Sequence, residues 1–275
     1  MSPRQKSALV VVAGLPAPRG VGGAIVFSAT RAVNPPARAP IFVDQEGGVV
    51  KRYPGLPPYE PASTYRRKRA AFVAGRDTGQ ALRQVGVAVD LAPVLDAPDG
   101  PLGSRHFRRA ALGVSFAKGL AAGGIAPCVK HFPGLGSTPE STDVARVFGV
   151  VRRSEVRAFR TAIRAGVPCV MVGHAIYPTL GRRRASLEPA TYALLRRQGF
   201  DGVAITDSLS ALGAGATRWA RLAVRAGADL VLVQEPNDVK PVIKALTPLA
   251  RAGKLDAAVG RVIAFRRSLG FARLP

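Results

Sequence analysis

The chain of 275 residues has little of what staples, stacks or coordinates. Two cysteines, Cys128 and Cys169, are too few for a disulfide scaffold and cannot form a zinc site by themselves. The three histidines, His106, His131 and His174, stand far apart and no His/Cys pair has ligand spacing. No metal or other cofactor is therefore expected. Aromatic residues make up only 6%, which argues against a stacking surface for single-stranded nucleic acid. No apolar run approaches the roughly 18–20 residues needed to cross a bilayer, so no membrane-spanning helix is expected. Acidic residues are scarce: 17 Asp and Glu face 40 Lys and Arg, a net charge of +23.

That excess competes for attention as a nucleic-acid signal. The basic runs are short, however, and recur along the whole chain: Arg66–Arg69, Arg108-Arg109, Arg152-Arg153, Arg182–Arg184, Arg196-Arg197 and Arg266-Arg267. Charge spread in this way is read as solvated surface on helices and outer loops, with no specific nucleic-acid partner. The chain is 47% hydrophobic and 21% charged, which excludes a disordered polycation and provides for a sizeable core. At the amino terminus, Arg4 and Lys6 precede an apolar stretch, Ala8–Ala13, soon broken by Gly14 and Pro16. A buried first strand explains this as well as a signal peptide does, and a cytoplasmic location is expected.

Short apolar runs rich in β-branched residues recur at intervals, at Leu9–Ala13, Ala24–Phe27, Ile41–Val43, Val87–Leu91, Ile125–Val129, Cys169–Val172, Gly202–Thr206 and Leu230–Val233. Several are apolar on both faces, as expected of parallel strands covered by helices. Helical patterns run from Ser63 to Val85 before Gly86, and from a Ser154 cap to Ala165 before Gly166. Two more run from a Thr217 cap to Ala226 before Gly227, and from Asp256 to Leu269. Eight such strands in a chain near the ~250 residues typical of the fold predict an α/β (β/α)8 TIM barrel. Between Phe27 and Ile41, Pro35, Pro36 and Pro40 oppose a helix, so one covering helix is expected to be replaced by a Pro-rich loop. No linker divides residues 1–275, which read as a single catalytic domain and a monomer.

In a parallel barrel, reactive groups gather at the carboxyl ends of the strands. The third strand is followed by Asp44-Gln45-Glu46-Gly47-Gly48, and the fourth by Asp96 with Gly103-Ser104-Arg105 beyond. The fifth is followed by Lys130-His131-Phe132-Pro133-Gly134-Leu135-Gly136 and a loop with Glu140 and Asp143. His174 follows the sixth and Asp207 the seventh. Each has an ordinary reading: Asp207 could cap the next helix, Asp96 could form a turn, and His131 could be a packed histidine. Their coincidence at five consecutive strand ends favours a site.

On these residues the sequence resembles the amino-terminal catalytic domain of family 3 glycoside hydrolases, in the branch of bacterial β-N-acetylhexosaminidases. The segments are DQEGG at 44–48, LAPVLD at 91–96, GSRHF at 103–107, KHFPGLG at 130–136, GHAIYP at 173–178 and ITDSLS at 205–210. The resemblance implies a retaining glycosidase acting on terminal β-linked sugars, most naturally N-acetylhexosamine. It implies Asp207 as nucleophile, and Asp44, Arg52, Asp96, Arg105, Lys130, His131 and His174 around the sugar. One motif departs: where the family carries Asp-Ser-His, this chain has Ser141-Thr142-Asp143, and Leu135 replaces the histidine of the KHFPGHG motif. The proton donor is then expected to be Asp143, raised in pKa by burial near Asp207, with Glu140 as the alternative. A β-glycosidase of other sugar preference, and a weakly active or purely carbohydrate-binding relative, stay open.

Overall fold

The protein is described here by a computed structural model covering residues 1–27 and 38–271. Its strands are β1 (Val11–Gly14), β2 (Gly23–Val26), β3 (Ile41–Val43), β4 (Gln45–Gly47), β5 (Val50–Lys51) and β6 (Val89–Asp90), then β7 (Ala126–Phe132), β8 (Cys169–Val172), β9 (Val203–Ser208) and β10 (Leu230–Val233). β4 and β5 form a separate antiparallel hairpin; the other eight close into a parallel barrel in chain order, β10 pairing back onto β1. This is the predicted (β/α)8 architecture. β1, β8 and β10 are buried along their whole length, which is why they read as unbroken apolar runs.

The helices are α1 (Pro3–Leu9), α2 (Lys68–Gln84), α3 (Ala110–Ala122), α4 (Arg153–Arg164), α5 (Pro189–Arg197), α6 (Ala216–Ala226), α7 (Pro236–Arg251) and α8 (Asp256–Ser268). Gly86, Gly166 and Gly227 follow their helices with φ of +81°, +84° and +124°, as the sequence predicts. The amino-terminal expectations shift. α2 begins at Lys68, after a short 3-10 turn at Ala62–Thr64, not at Ser63. Ser154 and Thr217 lie inside α4 and α6, whose caps are Arg152 and Gly215. Leu9 ends α1 instead of opening β1. Ser2 and Gln5 form a capping box there, with Ser2 N–H donating to Gln5 Oε1 at 2.7 Å and Gln5 N–H to Ser2 Oγ at 3.2 Å.

The Pro-rich stretch at 28–37 lies outside the described residues. The connection of residues 15–22 between β1 and β2 lacks a helix. Pro16, Pro18 and its eight-residue length account for that. α8 packs on this side of the barrel, with Phe265 and Phe42 ring centroids 6.4 Å apart. From the same helix, the buried Arg266 guanidinium donates to the Gly22 and Arg38 carbonyls at 2.9 and 2.7 Å. It thus satisfies backbone that neither a helix nor the barrel ladder reaches. Arg196 and Arg261 likewise close on the buried Asp229 at 2.5 and 2.7 Å. These arginines are structural, so Arg196 and Arg266 depart from the reading of the basic pairs as largely solvated surface.

Cys128 and Cys169 stand directly opposite each other in the β7–β8 ladder and are joined by a disulfide, with both side chains buried. The bridge spans 41 positions of sequence, and loop-closure arithmetic assigns it on the order of 4 kcal/mol of stabilisation. Unreduced, denatured protein is expected to show no reactive thiol, and Cys128→Ser to lower unfolding stability by roughly 2–4 kcal/mol. Two titratable thiols in the unreduced protein would refute the pairing.

Candidate active site

Seven of the nine residues singled out in the sequence meet around one cavity of about 260 Å³ at the carboxyl ends of the strands. They are Asp44, Arg52, Arg105, Lys130, His131, Asp143 and Asp207. Asp96 and His174 are not in its wall; both lie behind it.

A chain of alternating charges forms one side. The Lys130 ammonium sits 2.6 Å from Asp44 Oδ1 and 2.7 Å from Glu46 Oε1. Arg105, from the 3-10 turn Gly103–Arg105, grips Glu46 with both Nε and Nη2 at 2.9 Å. Arg52 Nη2 lies 3.8 Å from Asp44 Oδ2 at the outer end. Burial alone would raise the Glu46 pKa, but Lys130 and Arg105 override it and lower the value to about 2. Burial would likewise lower Lys130, yet Asp44 and Glu46 hold it above the ordinary lysine value. The ammonium is therefore fixed as a donor.

Gln45, between the two carboxylates, explains why the motif is contiguous. Its Oε1 accepts from the Arg52 and Tyr53 amides at 2.9 and 3.0 Å, and its Nε2 donates to the Tyr53, Leu56 and Pro57 carbonyls. One buried amide thus holds the loop that delivers Arg52. Its own N–H donates to Asp90 Oδ1 at 2.9 Å, while Asp90 Oδ2 is buried without a partner. Burial pushes the Asp90 pKa well up, favouring its neutral form beneath the cluster.

The two residues behind the wall orient those in it. Asp96 Oδ2 lies 2.7 Å from His131 Nδ1, and Asp96 Oδ1 accepts from the Leu135 N–H at 2.8 Å. This places the His131 proton on Nδ1 by the chemistry of its partner. His174 is fully buried: Nε2 donates to the Ser208 carbonyl at 2.9 Å, and Nδ1 accepts from Ser186 Oγ at 2.7 Å. With both nitrogens engaged, and its pKa lowered chiefly by burial, His174 supports the backbone beside Asp207. Asp96 and His174, expected around the sugar, thus stand outside the cavity wall.

Asp207 is the penultimate residue of β9 and accepts from the Ser208 N–H at 2.8 Å. It does not cap α6, whose N-cap is Gly215. Burial would raise its pKa, but His131, His174 and Lys130 bring it below the ordinary value, so it stands as a carboxylate at neutral pH. Asp143 reaches the same cavity from the loop between β7 and α4, with Oδ2 3.2 Å from Ser141 Oγ. It is exposed, so the burial invoked for it is absent; Glu140 is also exposed and does not line the cavity.

Three participants escaped the sequence reading. Glu46 was visible in its motif but carried no role, because nothing in the chain order announces Arg105 and Lys130 as its partners. Asp90 signalled itself as an acid inside an apolar strand. Gln234, which lines the cavity and accepts from Ser208 and Ser210 hydroxyls at 3.1 Å, is the first polar residue after β10. Inspection of the eighth strand end would have found it.

The Glu46 shift carries a stability consequence. A carboxylate depressed from 4.5 to about 2 stabilises the fold above its unfolded value and loses that contribution as pH falls through the folded one. Glu46→Gln is expected to cost about 3 kcal/mol at pH 7. In urea titrations the gap to the parent protein should narrow as pH drops from about 4.5 towards 2. A gap that stays constant would contradict the ion-pair account.

The family model of the glycosyl hydrolase family 3 N terminal domain matches residues 24–265. The beta-hexosaminidase LpqI of Mycobacterium tuberculosis is 31% identical over 261 aligned residues, covering 81% of this chain and 66% of its own length. The beta-hexosaminidase of Methylobacillus flagellatus is 33% identical over 227 residues, covering 72% and 65%. The chain thus spans just under two thirds of these relatives' lengths. Among solved structures, a family 3 β-N-acetylglucosaminidase from Paenibacillus superposes with a TM-score of 0.87 at 28% identity, covering 99% of this chain and 64% of that one. A β-N-acetylhexosaminidase from Beutenbergia cavernae superposes at 0.86 and 26% identity, covering 97% and 99%. Matched from its second barrel strand into its last helix, the chain belongs to the glycosyl hydrolase family 3 N-terminal domain family.

Proposed function

We propose that this barrel is a retaining glycosidase that removes a terminal β-linked sugar, with N-acetylhexosamine as the favoured substrate. The observation that carries the reading is the convergence of Asp207 and Asp143 on one cavity whose remaining polar wall combines the Asp44 carboxylate with Arg52, Arg105, Lys130 and His131. The hexosaminidase names of the relatives support the sugar class. A cavity of about 260 Å³ is on the scale of one sugar ring, in keeping with attack at a chain end.

In the first half-reaction the Asp207 carboxylate attacks the anomeric carbon. The bond to the leaving oxygen breaks as Asp143 delivers a proton to it, and a glycosyl-aspartate forms. In the second, Asp143 takes a proton from water, water attacks the same carbon, and Asp207 leaves with configuration retained. Lys130, Arg105, Arg52 and Asp44 hold the hydroxyls by charge-assisted hydrogen bonds, and His131 contributes a nitrogen locked by Asp96. The Cys128–Cys169 bridge supports an oxidising compartment over the cytoplasm expected from the amino terminus.

On aryl N-acetyl-β-hexosaminides, Asp207→Ala is expected to lose kcat by at least about 10³-fold while the fold is retained. Asp143→Asn should slow glycosides with poor leaving groups about 10²-fold or more and leave activated aryl glycosides far less affected. Full activity of Asp143→Asn on a poor leaving group would reject the assignment. An anionic acid/base disfavours inorganic phosphate as second nucleophile, so product release should be phosphate-independent; accumulation of sugar 1-phosphate would contradict this.

A further inference from the structure

The loop that carries Asp143 leaves β7 at Phe132 and returns to α4 at Arg153. Such a loop is mobile unless something other than its own residues closes it. Its base is partly sewn by Ser137, whose Oγ accepts from the Val150 N–H at 2.7 Å and donates to the Val150 carbonyl at 2.9 Å. A second closure comes from a side chain with no place in the cavity. Glu155, in the first turn of α4, is 2% exposed. Its Oε1 accepts from the Gly136 N–H at 2.8 Å and from the Ala97 N–H at 3.0 Å. One oxygen thus ties the start of the Asp143 loop, the helix that ends it, and the segment following Asp96.

The packing around this carboxyl is built for it. A Cβ at Gly134 would stand 2.5 Å from Glu155 Cδ, and one at Gly136 would stand 2.8 Å from Oε1. Only glycine at both positions lets the backbone reach the carboxyl. Tyr177 completes the clamp by donating its hydroxyl to the Gly134 carbonyl at 2.6 Å, and Asp96 holds the Leu135 N–H between them. Three consecutive residues, 134–136, are therefore pinned by three separate buried side chains. Leu135, Gly134 and Gly136 lie outside the cavity wall, so this investment in rigidity serves what they connect.

Glu155 Oε2 is buried without a partner, and burial raises the Glu155 pKa. The clamp needs only an acceptor at Oε1, which a neutral carboxyl or an amide supplies as well as a carboxylate does.

We infer that Glu155 is a positioning residue for proton transfer: by accepting both the Ala97 and Gly136 amides it fixes the loop that presents Asp143 to the cavity. The inference rests on Asp143 being the acid/base. A residue that merely holds the barrel together would slow all substrates alike when altered, whereas one that positions the proton donor slows those that need protonation.

The experiment measures kcat and KM for an activated aryl glycoside and for an alkyl glycoside of the same sugar, in Glu155→Ala, Glu155→Asp, Glu155→Gln and Asp143→Asn. Glu155→Ala is expected to lower kcat on the alkyl glycoside about 10-fold or more beyond its effect on the aryl glycoside, with little change in KM. Glu155→Gln, which keeps the acceptor, should retain the parent's ratio. If Glu155→Ala does not fold, Glu155→Asp decides, since its shorter arm cannot reach both amides. Equal losses on both substrates, or Glu155→Gln failing like Glu155→Ala, would overturn the inference. If Asp143→Asn itself shows no leaving-group dependence, the acid/base assignment fails instead, and the two failures are thereby distinguished.

Discussion

A buried ammonium between two carboxylates is the constraint on which the rest of the site depends. Lys130, almost without solvent, is tolerable only because Asp44 and Glu46 are each within 2.7 Å of its Nζ. Glu46 in turn needs the bidentate Arg105, and Asp44 faces Arg52 at the mouth. Removing Lys130, Glu46 or Arg105 strands a charge in low dielectric, so the group is held as a unit, and β4, β7 and the Gly103–Arg105 turn are registered against one another by it. Fixed donors at the cavity wall are a by-product of that electrostatic necessity. They are preorganised because they cannot relax.

The site has two layers with different tasks. Residues in the wall carry charge or donors toward the cavity, while Gln45, Asp96, His174 and Glu155 behind them engage backbone amides, backbone carbonyls and, in one case, a ring nitrogen. The hidden layer explains why a cluster drawn from loops can be ordered at all: each loop is closed by a buried polar side chain from another element. It also explains the tuning of Asp207. Burial would favour its neutral form, and the flanking histidines and Lys130 reverse that preference, leaving a carboxylate.

Much of this was legible in the chain. Alternating short apolar runs and helical patterns identify the barrel, because strands buried on both faces lose the polar alternation that would disguise them. Strand ends then locate six of the cavity residues without any contact information, and the family resemblance adds Arg52. What stayed hidden depends on distances across the sequence. Glu46 acquires meaning only when Arg105 and Lys130 come to it from 59 and 84 positions away. Asp96 and His174 fall at strand ends like the wall residues, and only the structure shows that they engage His131, Leu135, Ser186 and Ser208. Apart from Arg52, Arg105 and Lys130, assigned to the site, the net charge of +23 was read as surface, yet Arg196, Arg261 and Arg266 close on buried acceptors. Helix starts were misplaced because Ser154 and Thr217 are good caps by type while the backbone turns a residue or two earlier.

The account centres on Asp207 as a nucleophile held ionised at the carboxyl end of β9. Its most direct test is intact-protein and peptide mass spectrometry after incubation with slow, fluorinated glycosides of several sugars. Retaining chemistry predicts a covalent glycosyl adduct on the peptide containing Asp207, formed fastest with the N-acetylhexosamine reagent and absent in Asp207→Ala. An adduct on a different carboxylate, or active turnover of these reagents with no adduct at any stage, would contradict it.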